Sequence, residues 1–154
     1  MTITARQVSL IQSSFEKVKP ISEQAAEIFY NRLFYYDPSL KRLFKSDIKG
    51  QGMKLMSVLG VAVASLKDLD GLVPTLQKLA KQHVSYGVKA EDYTPVGNAL
   101  LYTLKQGLGP AFTPELRKAW IDLFHVVTSV MREAAYPDYD PKTFRNTHRY
   151  RKTG

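Results

Sequence analysis

The histidines are the side chains whose chemistry is most informative, because only three occur among 154 residues and cysteine is absent. His83 ends an apolar helical run in the segment LAKQHVSYGV, whereas His125 lies on another predicted helix and His148 in the C-terminal tail. A neutral imidazole can bind a metal ion through one ring nitrogen. Zinc needs three or four protein ligands, and no other histidine stands at a short spacing from His83. A hydrogen-bonded core histidine is the alternative to a metal ligand at this position.

One histidine suffices as a ligand when the cofactor supplies the remaining ligands of its metal. Haem is such a cofactor, since its four pyrrole nitrogens leave only the axial positions to the protein. The absence of cysteine also excludes a disulfide, a thiol nucleophile and a thiolate metal site.

The elements that must position His83 are helices, because apolar residues recur with helical spacing along most of the chain. On this helix, Leu76, Leu79 and Ala80 share one face with His83. We predict no strands, repeats or low-complexity segments, and the helical pattern stops after Ala135. The predicted helices are bounded by cap and stop residues, namely Thr4, Pro20, Asp37, Pro38, Gly87, Thr113 and Pro114.

Five segments follow one another in an informative order, namely FYNRLFYYDPSLKRLF, QGMKLMSVLG, LAKQHVSYGV, YTPVGNALL and AWIDLF. Their key residues Pro38, Phe44, Gln51 and His83 stand in register, and on this combination the chain resembles a globin. The resemblance is closest to bacterial single-domain globins and to the globin half of flavohaemoglobins. It covers about Thr4 to Ala135 and implies an all-α globin fold, a three-on-three helical sandwich around haem. We therefore expect a globin domain over residues 1–135 and a basic C-terminal tail over residues 136–154.

The resemblance implies roles for residues on both sides of a haem b (iron protoporphyrin IX). It makes His83 the iron ligand and places Tyr30 and Gln51 on the opposite, distal side. There a tyrosine hydroxyl and a glutamine amide would donate hydrogen bonds to bound dioxygen inside an apolar pocket. Leu55 would set the size of that pocket. The alternatives are a core tyrosine bonded to the backbone for Tyr30 and a solvated residue near a helix start for Gln51.

Other residues are implied as haem contacts, namely Phe44, Leu79, Val88 and Val96. Lys54 would pair with a haem propionate, or alternatively remain solvated. Tyr93 matches a tyrosine that flavohaemoglobins couple to the ligand histidine and a glutamate. The chain departs from that pattern, because Ala135 occupies the expected glutamate position and Glu133 would face another direction. This departure weakens any peroxidase-like chemistry and leaves dioxygen binding intact.

Three functions are compatible with the sequence. The first is reversible, tight binding of dioxygen or another small diatomic ligand. The second is conversion of nitric oxide and dioxygen to nitrate, which would need a separate reductase because no GxGxxG or Walker-type run occurs. The third is a helical interaction module without haem, which would use the basic tail to bind nucleic acid or an acidic protein.

Charge and composition bear on the partners of the chain. The net charge is +8, and the tail from 136 to 154 contains five Lys and Arg against two Asp. No basic stripe with interleaved aromatic residues runs along one helix, so a nucleic-acid partner is disfavoured. No apolar run is long enough to span a membrane and no signal peptide is evident, so we expect a cytoplasmic monomer or homodimer.

Overall fold

The computed structural model of the chain describes residues 3–44, 48–140 and 144, and within these residues it contains helices and no strand. The α-helices are α1 (Ala5–Val18), α2 (Ser22–Tyr36), α3 (Ile48–Ala64), α4 (Leu69–Ser85), α5 (Tyr93–Leu108) and α6 (Pro114–Ala135). Short 3₁₀ helices occur at Lys19–Ile21, Pro38–Leu43, Ala90–Asp92 and Gly109–Ala111. The prediction of an all-α fold is confirmed.

The helices begin where local side chains satisfy their free backbone amides. Thr4 and Gln7 form a capping box at α1, with the Gln7 amide donating to Thr4 Oγ1 over 3.1 Å and the Thr4 amide donating to Gln7 Oε1 over 3.0 Å. Asp68 accepts a hydrogen bond from the amide of Gly71 at the start of α4. Thr113 caps α6 in the same way, and Pro114 fills its first position. The caps at Asp68 and Thr113 fix the starts of α4 and α6.

The helix that carries His83 ends in a turn that only glycine adopts easily. Gly87 has φ of 96°, a left-handed conformation in which a side chain would be strained. The amide of Val88 then donates to the carbonyl of His83 over 3.1 Å. The chain therefore reverses directly after the histidine segment and leads into α5.

The six helices form two layers of three. Helices α1, α3 and α4 pack on α2, α5 and α6, and the largest contacts across the layers are those of α4 with α6 and of α2 with α3. By contrast, α3 and α4 scarcely contact each other although they lie in the same layer. This arrangement is the expected three-on-three sandwich, in which α3 and α4 make little direct contact.

The main core lies at the end of the molecule where α1 crosses α6. Trp120 is 0% exposed and packs against Phe15 and Phe124. Its indole nitrogen donates to Ser14 Oγ over 3.0 Å, and Ser14 donates to the carbonyl of Ile11 over 2.9 Å. Both side-chain polar atoms of this buried pair therefore have a partner, which offsets the cost of removing them from water. The described helices include none that is long and apolar enough to span a membrane.

Candidate functional site

His83 lies in the last turn of α4, beyond the buried residues Leu76 and Ala80. Its Nδ1 atom is 2.6 Å from the carbonyl oxygen of Leu79, one turn earlier. Because a carbonyl oxygen can only accept, Nδ1 carries the proton of this hydrogen bond. The neutral imidazole is therefore left with its lone pair on Nε2. A hydrogen bond of this kind orients metal-binding histidines and fixes their tautomer.

An apolar cluster surrounds the segment that carries His83, and we call it the proximal cluster. It consists of the buried residues Ala62, Leu72, Leu76, Ala80, Tyr93 and Met131, with Leu79 and Val88 packed against them. The Tyr93 hydroxyl is buried and has no hydrogen-bond partner within the described residues. Burial raises the pKa of this hydroxyl, so it remains a proton donor at neutral pH. Because an unpaired buried hydroxyl destabilises the fold, its presence suits a site that an occupant completes.

A second apolar cluster contains Tyr30, and we call it the distal cluster. It consists of Phe29, Tyr30, Leu33, Tyr36, Leu40 and Ala99, with Phe34, Phe44, Leu55 and Val96 among the partly buried residues packed against them. The Tyr30 ring meets Phe44 edge-on at a centroid distance of 5.2 Å and stacks on Phe34 at 6.0 Å. These contacts fix the Tyr30 ring within an aromatic group, as expected for a residue that positions a hydroxyl.

The hydroxyl of Tyr30 is held in its neutral form. Burial raises the pKa of Tyr30 to about 12. The residue is only 5% exposed, so its hydroxyl is largely shielded from solvent. Tyr30 can therefore act as a hydrogen-bond donor throughout the neutral pH range.

Gln51 and Lys54 lie on α3, which packs against α2. Gln51 is partly buried, whereas Lys54 is exposed. Gly52 is buried between them and contacts Ala26 and Tyr30 on α2. The structure thus brings the first turn of α3 close to Tyr30 and leaves the Lys54 side chain in solvent.

The proximal and distal clusters are neighbours along α5. Tyr93 belongs to the proximal cluster, and Val96, one turn later on the same helix, packs against the distal cluster. Leu43 packs against the distal cluster, and its side chain also approaches Gly87, which follows the end of α4. The two clusters therefore lie next to each other, with His83 near the end of α4 and Gln51 near the start of α3. The remaining histidine of the described chain, His125, is exposed on α6, and His148 lies outside the described residues.

The proximal side contains a cation that sequence reasoning did not identify. Arg132 donates from Nε to the carbonyl of Ala90 over 3.0 Å and from Nη2 to Thr94 Oγ1 over 3.2 Å. Its guanidinium lies 5.7 Å from the centre of the Tyr93 ring. Ala135 packs at the proximal cluster, and Glu133 is exposed. The cation near Tyr93 is therefore an arginine, and the neighbouring Asp92 also acts on the Tyr93 hydroxyl.

Tyr136 is a second residue that was not singled out. Its hydroxyl donates to the carbonyl of Val88 over 2.5 Å, and burial raises its pKa to about 12. Arg132 lies in the last turn of α6, and Tyr136 directly follows the end of that helix. The four-residue spacing of Arg132 and Tyr136 was the available sequence signal. Both residues bind backbone carbonyls, however, and no sequence pattern identifies such a partner.

Other kinds of metal site find no support in the described part of the chain. No group of three or more His, Cys, Asp or Glu residues there could hold a metal ion. A metal held by the protein through His83 would need its other ligands from a cofactor.

Comparisons with known proteins define the class. The family model for globins matches residues 27–131. Neuroglobin of Danio rerio is 31% identical over 143 residues, which cover 84% of this chain and 90% of that protein, and neuroglobin of Tetraodon nigroviridis has the same identity and coverage. The chain belongs to the globin family.

A solved structure shows the same fold. It is an engineered carbene transferase from Rhodothermus marinus whose name includes the term nitric oxide dioxygenase. It superposes with a TM-score of 0.79 and 23% identity, covering 88% of this chain and 95% of that one. Globins bind haem and diatomic ligands, so membership of the family implies a haem site here.

The residues present fit a haem. One histidine offers a lone pair on Nε2, because its proton stays on Nδ1 and is donated in a hydrogen bond to the Leu79 carbonyl. Apolar side chains make up both clusters, and the unpaired Tyr93 hydroxyl lies in the proximal one. A large apolar cofactor with a single open ligand position suits such a site.

Proposed function

We propose that the protein binds haem b through His83 and uses it to hold dioxygen reversibly and tightly. The observation that carries this proposal is the hydrogen bond between His83 Nδ1 and the Leu79 carbonyl, which leaves Nε2 as the atom available to iron. When bound, haem would supply an iron with one remaining position for a diatomic ligand. Phe44, Leu55, Leu79, Val88 and Val96 would contact the cofactor, and Lys54 would pair with a propionate.

Tyr30 and Gln51 would stabilise the ligand by donating hydrogen bonds to it. The Tyr30 hydroxyl is neutral, and its ring is fixed by Phe34 and Phe44. Hydrogen bonds from such donors are strong in an apolar pocket, since water does not compete. Leu55 would limit the pocket to small ligands. Tyr93 would lie on the proximal side. Its hydroxyl would donate a hydrogen bond to the cofactor or to the histidine that binds the iron.

The histidine assignment is tested by haem titration of the apoprotein. We expect His83→Ala to lose haem or bind it loosely, and His125→Ala, with its exposed side chain, to bind haem as the parent does. The absorption spectrum is the measurement. A five-coordinate imidazole spectrum retained by His83→Ala would exclude His83 as the ligand, and absence of a Soret band from the parent protein would favour an interaction module without haem.

The distal roles are tested by ligand release. Each hydrogen bond to dioxygen should contribute about 1–3 kcal/mol. At about 1.4 kcal/mol per tenfold, Tyr30→Phe should accelerate dioxygen release about ten- to a hundredfold and carbon monoxide release less. Tyr35→Phe is the control, because Tyr35 lies on the same helix but outside the distal cluster, with an exposed side chain. Equal effects on both ligands would mean that Tyr30 acts through its shape.

Nitric oxide dioxygenation is the second candidate function, because it would use the same pair of donors and the same apolar pocket. The overall reaction joins nitric oxide and dioxygen as nitrate and takes one electron from the protein in each cycle. The electron donor would be a separate reductase. The net charge of +8 would favour an acidic one. A cytoplasmic location and a monomeric or dimeric state stay predictions from the sequence.

A further inference from the structure

Gly52 lies at the closest approach of α2 and α3. A Cβ atom built on Gly52 would be 2.7 Å from the Cβ of Ala26 and 3.6 Å from Cε2 of Tyr30. Ordinary carbon contacts begin near 3.4 Å, and contacts under 3.0 Å essentially do not occur at real Cβ atoms. The two backbones are therefore closer here than any residue with a side chain would permit.

This contact lies beside both predicted distal donors. On α3, Gly52 follows Gln51 directly and precedes Leu55 by one turn. On α2, Ala26 is one turn before Tyr30, on the same helix face. The Ala26 methyl is joined directly to backbone, so it cannot rotate away as the end of a long side chain would. The spacing of the two backbones at this point therefore decides the distance between Tyr30 and Gln51.

We propose that Gly52 is a positioning residue of the distal pocket, which holds Tyr30 and Gln51 close enough to donate to one small ligand together. This inference rests on the proposed function of those two residues. An added methyl at Gly52 would force the helices apart by about 0.7 Å to restore an ordinary contact. A displacement of this size exceeds the distance range over which a hydrogen bond keeps its strength. Gly52 would make no hydrogen bond to the ligand and would act only through the spacing of α2 and α3.

The test compares Gly52→Ala with Gly60→Ala in the haem-loaded protein. Gly60 lies two turns later on α3, and its added Cβ would meet nothing closer than 3.6 Å, at Phe15 Cε2. Both changes add one methyl to the same helix, but only the first requires the helices to move. For Gly52→Ala we expect about tenfold faster dioxygen release and a higher C–O stretching frequency in the carbon monoxide form, because a weaker donor field raises that frequency. Gly60→Ala should leave both unchanged.

A second change separates positioning from general destabilisation. Ala26→Gly removes the methyl that Gly52→Ala would strike, so the double variant should regain the parental stretching frequency and release rate. In a Tyr30→Phe background, Gly52→Ala should have a much smaller effect, since the donor it displaces is gone. Urea unfolding of each apoprotein shows whether the change in ligand binding follows stability.

Some results would overturn the inference. If Gly52→Ala and Gly60→Ala give the same stretching frequency, or if Ala26→Gly fails to restore it, Gly52 does not position the donors. If Tyr30→Phe alone leaves the frequency and dioxygen release unchanged, the proposed distal function fails, and this result is separate from the comparison of the glycines.

Should Gly52→Ala not fold, Ala26→Gly alone provides the test. It loosens the contact at the pocket and should shift the stretching frequency. Ala25→Gly, the same change at a neighbouring buried residue of α2, should not. Equal shifts in both variants would refute the proposal.

Discussion

Removing the segment after Ala135 should destabilise the fold, although it lies beyond the last helix and was predicted to be a separate tail. The Tyr136 hydroxyl bond to the Val88 carbonyl should contribute about 1 kcal/mol. Tyr139 and Phe144 face the Arg132 guanidinium at 5.9 and 4.8 Å. Each such contact should contribute about 0.5–1 kcal/mol at a partly exposed site. The expected loss is therefore about 2–3 kcal/mol.

Thermal unfolding of a nested series of chains measures this loss. A domain of this size loses about 2–4 °C of melting temperature per kcal/mol, so a chain ending at Ala135 should melt about 5–10 °C below the full chain. A chain ending at Tyr136 should recover part of that difference. A chain ending at Phe144 should recover nearly all of it.

The haem spectrum should be unchanged throughout the series, because no predicted haem contact is removed. If the chain ending at Ala135 melts within about 1 °C of the full chain, the contacts of Tyr136 and Arg132 contribute nothing net. The boundary predicted at residue 135 would then separate the stable domain from a dispensable tail. If the chains ending at Ala135 and Tyr136 melt together and well below the full chain, the stabilisation comes from residues beyond Tyr136.

Three further outcomes follow from the site. Tyr93→Phe should raise the free energy of unfolding of the apoprotein by about 1 kcal/mol, because it removes a buried hydroxyl without a partner. Urea unfolding measures this change, and a less stable variant would show that the hydroxyl is paired. Burial raises the pKa of Tyr30 to about 12, so the unfolded chain loses this proton first and folding stability should fall as pH rises from about 10 to about 12. Tyr30→Phe should show a smaller loss of stability over this pH range, and an equal loss would mean that Tyr30 is not its source. The ferrous dioxygen form should yield one nitrate per haem when nitric oxide is added and turn over repeatedly only with a reductase and nicotinamide, more slowly as salt increases; dioxygen-loaded protein that survives excess nitric oxide would exclude this chemistry.

The helices were predictable because their signals are local. Thr4 with Gln7, Asp37 with Pro38 and Thr113 with Pro114 each place a cap beside an apolar repeat, and the structure has a helix start at each of them. The order of segments then led to the family, which the comparisons establish. The segment after Asp37 is a 3₁₀ helix, as short connecting helices often are.

The contacts that refine the site were not predictable from the sequence. A glycine such as Gly52 carries no side chain, so its importance depends on Ala26, which lies 26 residues earlier in the chain. Arg132 and Tyr136 bind backbone carbonyls of the turn before α5, and any sequence offers such carbonyls. Both kinds of contact depend on long-range packing, which local periodicity does not encode.

If His83 binds haem as proposed, the proximal residues bear on which of the two proposed haem functions the pocket would favour. A carboxylate partner would draw the proton from His83 and make the imidazole more electron-donating, which assists cleavage of a bound ligand. In this chain, the partner of Nδ1 is the neutral Leu79 carbonyl. The cation near Tyr93 is Arg132, which cannot accept a proton. With Ala135 at the expected glutamate position, the proximal residues of the proposed haem site would favour holding a diatomic ligand intact over breaking it.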